Sequence, residues 1–312
     1  MSSQYILGVD CGATKVLSQL AFFDKKLDLV FPKGKYSEFL YSSDESWIKN
    51  FDPVQIEIQK KELIQNNILL SKNEIIQGNM IIKTIQNALN ISKNKRVSIC
   101  YPGIKDHNGV VIMANGPRIP SLKKILNHYS NFYNDSDCCI LGEWKSSVGS
   151  MLNVTDGMYI GGGTGIADGV IIKNQLIDFN NEKKLKRSWE LMHNGNSIES
   201  LLSPAGMIRD FNNKFNKNVR TLDQFIESKK SLFILEQAIE ALSILIKDRV
   251  KFFKLNKSKL SLIVIGQRLG SFLFNQNNQI KDMFQESTKI PMKFSFDRRT
   301  AALGAVYKFN CT

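Results

Sequence analysis

The amino-acid sequence predicts an α/β protein of two similar domains. Its 312 residues are enough for two domains with separate hydrophobic cores. Short apolar runs typical of strands alternate with longer stretches of helical periodicity. Two units of strand, glycine- and threonine-containing turn and returning strand begin about 150 residues apart, at residues 5 and 157. This repetition indicates an internal duplication, with nucleotide phosphates held between the two halves.

The first unit is residues 5–15, YILGVDCGATK. Its apolar run ends in Asp10, which predicts a buried strand with a carboxylate at its tip. A tight turn follows, formed by Gly12, Ala13, Thr14 and Lys15. The carboxylate can hold hydrated Mg²⁺, while the turn amides, hydroxyl and ammonium face phosphate oxygens. An ordinary strand and turn would give the same pattern, so the interpretation depends on the second turn, GGGTGIADG at residues 161–169.

The other elements of the first half follow from hydrophobic periodicity and from turn residues. Strands are predicted at residues 16–23, 27–31, 97–100, 109–113 and 138–141. Helices are predicted at residues 73–89, 122–132 and 144–152. Residues 32–72 are polar and lack a steady period, so we expect part loop and part helix.

The second half begins with a strand at residues 157–160 and a returning strand at residues 169–172. The turn between them offers phosphate-binding candidates: Gly163, Thr164 and Gly165. Helices are predicted at residues 197–211, 236–255 and 299–309. A further strand at residues 262–265 ends at Gly266.

Composition narrows the classes of function. The net charge of +13 suits an anionic ligand, but the lysines are scattered and form no basic block with aromatic residues, so nucleic-acid binding is not expected. The five cysteines have neither disulfide-framework nor zinc-site spacing. No apolar run is long enough for a membrane span, and the first strand begins within a few residues of the N-terminus. We therefore expect a cytoplasmic protein without a membrane partner.

With these elements in place, the sequence resembles the ROK family of sugar kinases, within the actin/hexokinase/Hsp70 superfamily. DCGATK resembles that family's DxGGTK phosphate loop, and GGGTGIADG resembles its GTGIGGG loop. YPG followed by GVVIMANGP resembles the PG…NxPGW segment, whose asparagine contacts sugar hydroxyls; here it is Asn115, and the chain continues with Arg118 instead of the family's Gly-Trp.

The resemblance covers nearly the whole chain, from residue 5 to about residue 309. It implies two actin-like (ribonuclease H-like) domains, each a mixed five-stranded sheet flanked by helices, with a ligand cleft between them. The expected N-terminal domain is residues 1–118 plus the C-terminal helix at about 298–312, and the C-terminal domain is residues 119–297.

A second set of matches concerns the sugar. The tetrapeptide ELMH at residues 190–193 resembles the family's EIGH segment, and Ile198-Glu199 with Ser203 resembles LExxxSG. This likeness implies sugar-binding roles for Glu190, His193 and Glu199, since carboxylates and imidazole suit vicinal hydroxyls. A surface-loop histidine is the alternative for His193.

The sequence also departs from the family pattern. The family's catalytic aspartate lies in an NDA triplet after a strand; at the matching positions we read Gly142-Glu143-Trp144. Glu143 is thus predicted to be the catalytic base, with Gly142 beside the sugar. The cysteine cluster that binds zinc between the EIGH and LE segments is missing, so zinc is not expected.

The last departure from the family pattern concerns the segment expected to bind the nucleotide. The family's late GGG turn beside adenine reads Gly266-Gln267-Arg268, which places Gly266 and Gln267 on the adenosine side.

The resemblance implies an ATP-dependent, Mg²⁺-assisted kinase that phosphorylates a hexose or N-acylhexosamine, with homodimers common in the family. A catalytically weak sugar-binding relative with a sensing role is the alternative. Against it, the family's repressors carry an N-terminal helix-turn-helix, and this chain begins with the phosphate strand. A dehydratase-activator ATPase is a third option, but its cysteines hold an iron–sulfur cluster, which the cysteines here do not support. The sugar, the phosphorylated hydroxyl and the choice between ATP and polyphosphate stay open.

Overall fold

The computed structural model describes residues 5–92, 96–126, 131–276 and 279–311. The chain divides into two compact units. Unit 1 is Met1–Ser147 with Arg299–Thr312, and unit 2 is Val148–Arg298. The predicted boundary at residue 118 falls inside unit 1, because the segment at residues 131–145 pairs with the sheet of unit 1 and packs on its C-terminal helix.

Unit 1 contains eight strands within the described residues: β1 (Ile6–Cys11), β2 (Lys15–Asp24), β3 (Leu29–Pro32), β4 (Ser37–Leu40), β5 (Val97–Tyr101), β6 (Ile104–Lys105), β7 (Val110–Ile112) and β8 (Asn131–Asn134). Its helices are α1 (Ile56–Ile64), α2 (Lys72–Ser92), α3 (Leu122–Ile125), α4 (Asp135–Lys145) and, at the C-terminus, α11 (Thr300–Cys311). The main sheet has the order β3-β2-β1-β5-β8, and β4 also pairs with β2. Strand β1 is antiparallel to β2 and parallel to β5, which is parallel to β8.

Unit 2 has the strands β9 (Gly157–Gly162), β10 (Ile166–Ile172), β11 (Gln175–Leu176), β12 (Met192–His193), β13 (Asn196–Ser197), β14 (Leu262–Gly266) and β15 (Met292–Phe294). Its helices are α5 (Ile198–Leu202), α6 (Pro204–Phe215), α7 (Leu222–Ile226), α8 (Ser231–Leu255), α9 (Gln267–Asn275) and α10 (Gln279–Glu286). The five-stranded sheet has the order β11-β10-β9-β14-β15. The first three strands are antiparallel neighbours and the last three are parallel, as in unit 1.

The predicted α/β fold class is therefore confirmed: both sheets are mixed and flanked by helices. The sheet of unit 1 has six strands and not the expected five, because β4 adds to β2. The central strands are apolar because both faces are covered; every residue of β5, β9 and β14 is buried. The long helix α8 buries Ile234, Leu235, Ala238, Leu242 and Leu245, whose spacing forms one stripe that packs on the core of unit 2.

The prediction of a strand at residues 138–141 is wrong. These residues lie inside α4, which begins after Asn134, whose side-chain oxygen accepts a hydrogen bond from the Ser136 N–H at 3.4 Å. Asp135 and Asp137 in the first turn favour the positive end of the helix dipole. A four-residue apolar run cannot distinguish a strand from a buried helix, and here the cap decides for the helix.

The elements predicted on either side of residues 138–141 also differ from the structure. The helix expected at residues 144–152 is wrong, because α4 ends at Lys145. The helix expected at residues 122–132 is present only as α3; residues 127–130 lie outside the described residues, and the strand β8 follows. The strand expected at residues 109–113 pairs with β6 and not with the main sheet.

Two further segments differ from expectation. Residues 32–72 contain the unpredicted strand β4 as well as the helix α1. The helix expected at residues 197–211 is two helices, because Ser203 caps a new helix whose first residue is Pro204. In the part of the chain that the structure describes, no helix is both long and apolar enough to cross a membrane.

Candidate functional site

Two carboxylates meet at one edge of the unit 1 sheet. Asp10 lies near the carboxyl end of β1 and is paired in register with Cys100 of β5. Tyr101 of β5 is in turn paired with Asn134 of β8, and Asp135 begins α4 directly after it. Because β1, β5 and β8 are parallel, their carboxyl ends share this edge, where ligands bind in open α/β sheets.

Burial and mutual repulsion change the acidity of this pair. Burial, followed by the Asp135 carboxylate, raises the pKa of Asp10 to about 7, although a hydrogen bond from the Cys100 thiol (3.6 Å) and the Lys15 charge oppose this. Burial also raises the pKa of Asp135, which the ammonium of Lys105 counteracts. Burial lowers the pKa of that lysine. The edge thus holds two neighbouring carboxyls, with the ammonium of Lys105 acting on Asp135 and that of Lys15 acting on Asp10.

The acidity of Asp10 predicts a pH dependence of stability. Because the folded pKa is raised above its ordinary value of 3.8 to about 7, the folded protein holds a proton there that the unfolded chain releases. This stabilisation is complete below the unfolded pKa and is lost as pH rises through about 7. Between pH 5 and pH 7, we expect the ionisation of Asp10 alone to lower the free energy of unfolding of the metal-free protein by about 2 kcal/mol. Urea unfolding in EDTA measures this change, and Asp10→Asn should flatten it. Equal slopes in both proteins would contradict it.

The same pair fits Mg²⁺. Two acidic oxygen donors close enough to repel each other are relieved by a divalent cation, and Mg²⁺ prefers oxygen ligands. Across the described residues, no cluster of three or more histidine, cysteine, aspartate or glutamate side chains could enclose a metal ion. One or two carboxylates together with phosphates and water is the usual way that Mg²⁺ is held.

The first predicted phosphate turn is the hairpin between β1 and β2. The Gly12 N–H donates to the Lys15 carbonyl at 3.0 Å, and Ala13 and Thr14 are exposed. The Lys15 ammonium forms an ion pair with Glu38 of β4, which sequence reasoning did not anticipate. The turn is thus open to a ligand, while its lysine already has an acidic partner.

The second predicted turn connects β9 and β10. The Gly163 N–H donates to the Gly165 carbonyl at 2.9 Å, with Thr164 between them. Gln267, predicted on the adenosine side, has a φ of 56° and forms a bridge with Gly162. Its Oε1 atom would be 3.2 Å from a Cβ at Gly163, so the two predicted nucleotide segments of unit 2 are adjacent.

The three sugar candidates of unit 2 share one loop. It is closed by hydrogen bonds from the Ile198 N–H to the Leu191 carbonyl at 2.8 Å and from the Glu199 N–H to the Ser188 carbonyl at 3.3 Å. Glu199 Oε2 accepts from the Ile166 N–H at 2.9 Å, which connects this carboxylate to the second turn. The other two candidates have different partners.

Glu190 is exposed, and its Oε2 atom accepts from the Arg187 N–H at 2.8 Å. His193 is on the β12–β13 hairpin, where Nε2 is 3.2 Å from Glu240 Oε2 on α8. Sugar binding by Glu190, His193 and Glu199 stays a prediction.

The remaining unit 1 candidates have different surroundings. Asn115 is exposed between the buried residues Met113 and Arg118. Gly142 and Glu143 do not follow a strand: both are buried in the last turns of α4. A Cβ at Gly142 would overlap the Thr300 carbonyl of α11, so this glycine permits a close helix–helix contact.

Sequence reasoning missed Asp135. The triplet Asn134-Asp135-Ser136 follows β8 and resembles the NDA triplet, but the apolar run after it was interpreted as the strand. The signal was available: an asparagine cap followed by acidic residues marks a helix start. Lys105 carried no comparable signal, because only the fold brings it near the carboxylates.

No family model and no curated protein matches this sequence. Solved structures are similar over nearly the whole chain. A ROK hexokinase from Thermus thermophilus is 15% identical with a TM-score of 0.59, covering 97% of each chain. A ROK family glucokinase from Streptomyces griseus, in complex with glucose and AMPPNP, is 13% identical with a TM-score of 0.61, covering 98% of each chain.

A third similar structure is a regulator. It is a ROK family transcriptional regulator, a homolog of the E. coli MLC protein, 13% identical with a TM-score of 0.56. The match covers 98% of this chain and 78% of the regulator. Taken together with the two mixed sheets, these similarities show that the chain has the α/β fold of the ROK sugar kinases.

Proposed function

We propose that this protein is an ATP-dependent sugar kinase that transfers the γ-phosphoryl group to a hydroxyl of a hexose or N-acylhexosamine. One observation carries the proposal: Asp10 and Asp135 converge at the carboxyl ends of parallel strands, on a fold shared with sugar kinases. Phosphoryl transfer needs a base at the acceptor hydroxyl and charge compensation at the phosphates, and this edge offers groups for both.

Asp135 is our candidate for the base, in place of Glu143. It lies in the first turn of α4, directly after β8, and burial raises the pKa of its carboxyl above the ordinary value, which makes the carboxylate a stronger base. The positive charge of Lys105 opposes this rise in the pKa. Glu143 lies at the other end of the same helix, away from the strand ends.

The other candidate residues would bind the metal and the two substrates and orient them. Asp10 would hold Mg²⁺ through water, and the metal would supply charge neutralisation at the phosphates. The turns at residues 12–15 and 163–165 would contact phosphate oxygens through backbone N–H groups. Sugar hydroxyls would be held by Asn115, Glu190, His193 and Glu199, and the adenosine would lie beside Gly266 and Gln267.

A second candidate function is a sugar-binding protein with little catalysis. Two observations favour it: the Lys15 ammonium already pairs with Glu38, and the Gln267 side chain lies against the second turn. Both would weaken phosphate binding unless these side chains move.

ADP release separates the two functions. We expect sugar-dependent ADP release from Mg·ATP with at least one of glucose, mannose, N-acetylglucosamine and N-acetylmannosamine, because the proposal assigns one carboxylate to the base and one to the metal. A coupled assay over this panel measures it, with polyphosphate as an alternative donor and sugar-free reactions as the control. Saturable sugar binding by calorimetry without turnover would favour the binding protein, and neither binding nor turnover would contradict both functions.

A further inference from the structure

The loop at residues 113–118 carries Asn115 and is fastened at both ends. At its base, Val110 and Ile119 exchange two backbone hydrogen bonds, of 2.9 and 3.0 Å. Met113 and Arg118 are buried on either side of the exposed Asn115. A short loop held in this way presents its tip in a defined position, so whatever holds the two ends decides where Asn115 points.

The first end is held by a glutamine of α1. The side chain of Gln59 is fully buried and makes two hydrogen bonds to the backbone of Met113. Its Oε1 atom accepts from the Met113 N–H at 2.8 Å, and its Nε2 atom donates to the Met113 carbonyl at 2.9 Å. Nε2 also donates to the Val54 carbonyl at 2.6 Å. A buried amide that satisfies both polar groups of one residue fixes that residue strongly, because breaking the pair leaves buried groups unsatisfied.

The second end is held by Arg118, whose side chain is fully buried. Its Nε and Nη2 atoms donate to the two carboxylate oxygens of Glu74 on α2, at 2.8 and 2.9 Å. Its Nη1 atom forms an ion pair with Glu62 of α1, and Nη2 also donates to the Leu69 carbonyl at 3.0 Å. A bidentate guanidinium–carboxylate pair fixes both position and orientation.

The helix α1 therefore contacts both ends of one loop, through Gln59 and through Glu62. We propose that α1, together with Arg118, is a positioning clamp that sets the Asn115 loop for sugar binding; the sugar role rests on the proposed function. Residues 54–74 thus provide Gln59 itself and every partner of Gln59 and Arg118 named above apart from Met113. These residues are Val54, Gln59, Glu62, Leu69 and Glu74. None of these residues need touch the sugar, so they act through Asn115.

The test uses two matched variants. Gln59→Ala removes the hydrogen bonds to Met113. Gln77→Ala is the control: Gln77 is also buried, lies on α2, and its side-chain oxygen accepts from the N–H of Ile48, which is outside the loop, at 2.9 Å. Hydrogen–deuterium exchange of a peptide covering residues 113–119 should rise about 10-fold in Gln59→Ala and stay at the wild-type rate in Gln77→Ala. Unchanged exchange in Gln59→Ala would overturn the clamp.

Steady-state kinetics then test whether the clamp positions Asn115 for sugar binding. The substrate is the panel sugar that the wild-type protein phosphorylates fastest. We expect Gln59→Ala to raise the KM for sugar about 10-fold, with the KM for ATP and kcat within about 2-fold of wild type, because only ground-state placement of Asn115 is disturbed. A general loss of folded protein would instead lower the apparent kcat and leave both KM values unchanged. If Gln59→Ala does not fold, Glu62→Gln weakens the other end more mildly and should raise the KM for sugar about 3-fold.

The failures are distinguishable. Wild type without ADP release for any panel sugar contradicts the proposed function, and the exchange measurement alone then decides whether the clamp exists. An active wild type whose KM for sugar is the same in Gln59→Ala and Gln77→Ala overturns the positioning role while leaving the kinase intact.

Discussion

Asp135→Asn is expected to lower kcat by about 10²–10⁴-fold, with little change in the KM for sugar or ATP. The substitution keeps the shape of the side chain and its place in the first turn of α4, but it removes the carboxylate that we propose as the acceptor of the sugar hydroxyl proton. The fold should persist, because the Asn134 cap and the buried face of the helix are untouched. Steady-state kinetics with circular dichroism as a check on folding measure this effect.

The matched control is Glu143→Gln, in the same helix and also isosteric. Because Glu143 is buried far along α4 from the strand ends, we expect kcat within about 3-fold of wild type, with any effect on stability instead. The opposite outcome, a large loss of kcat in Glu143→Gln and none in Asp135→Asn, would restore the assignment made from the sequence and contradict the one made from the structure.

The comparison of these two residues shows what the sequence could predict. The two strand–turn–strand units were predictable, because a buried strand followed by a glycine turn is a strong local pattern, seen again at β1–β2 and β9–β10. The helix around residue 140 was harder to predict, because Cys138–Cys139–Ile140–Leu141 is apolar and short enough to suit either a strand or a helix, and only the cap before it indicates a helix. The strand predicted at these residues is the reason why the sequence points to Glu143 as the base, whereas the helix α4 leads us to propose Asp135.

The contacts of the site were less predictable than its backbone. The ion pair between Lys15 and Glu38 joins two strands, and the bonds from Gln59 to Met113 join residues 54 positions apart. No local pattern in the sequence predicts such pairs, because the fold brings together residues that are distant in the sequence. The sequence therefore predicts candidate ligand-binding segments, which stay predictions, but not the side chains that pair with them in the fold.

A substitution of Gly142 distinguishes a role in sugar binding from a role in helix packing. We expect Gly142→Ala to lower the free energy of unfolding by about 3 kcal/mol. The added Cβ would overlap the Thr300 carbonyl, which belongs to the backbone of α11 and cannot move without displacing that helix. Gly304 is the corresponding glycine on α11, and a Cβ added there would overlap the Cys138 carbonyl of α4. Alanine is otherwise the better helix former, so the loss cannot come from helix propensity.

The control is Gly78→Ala, another buried glycine within a helix of unit 1. Its Cβ would be 3.3 Å from Ile119 Cγ1, a side-chain atom that can shift, and the gain in helix propensity offsets the cost. We expect a change within about 1 kcal/mol for Gly78→Ala in urea unfolding. If Gly142→Ala is too unstable to purify, its loss from the soluble fraction beside a soluble Gly78→Ala gives the same answer. A stable Gly142→Ala with a raised KM for sugar would instead show that Gly142 faces the sugar, as the family resemblance implied, and that α4 and α11 tolerate a methyl group between them.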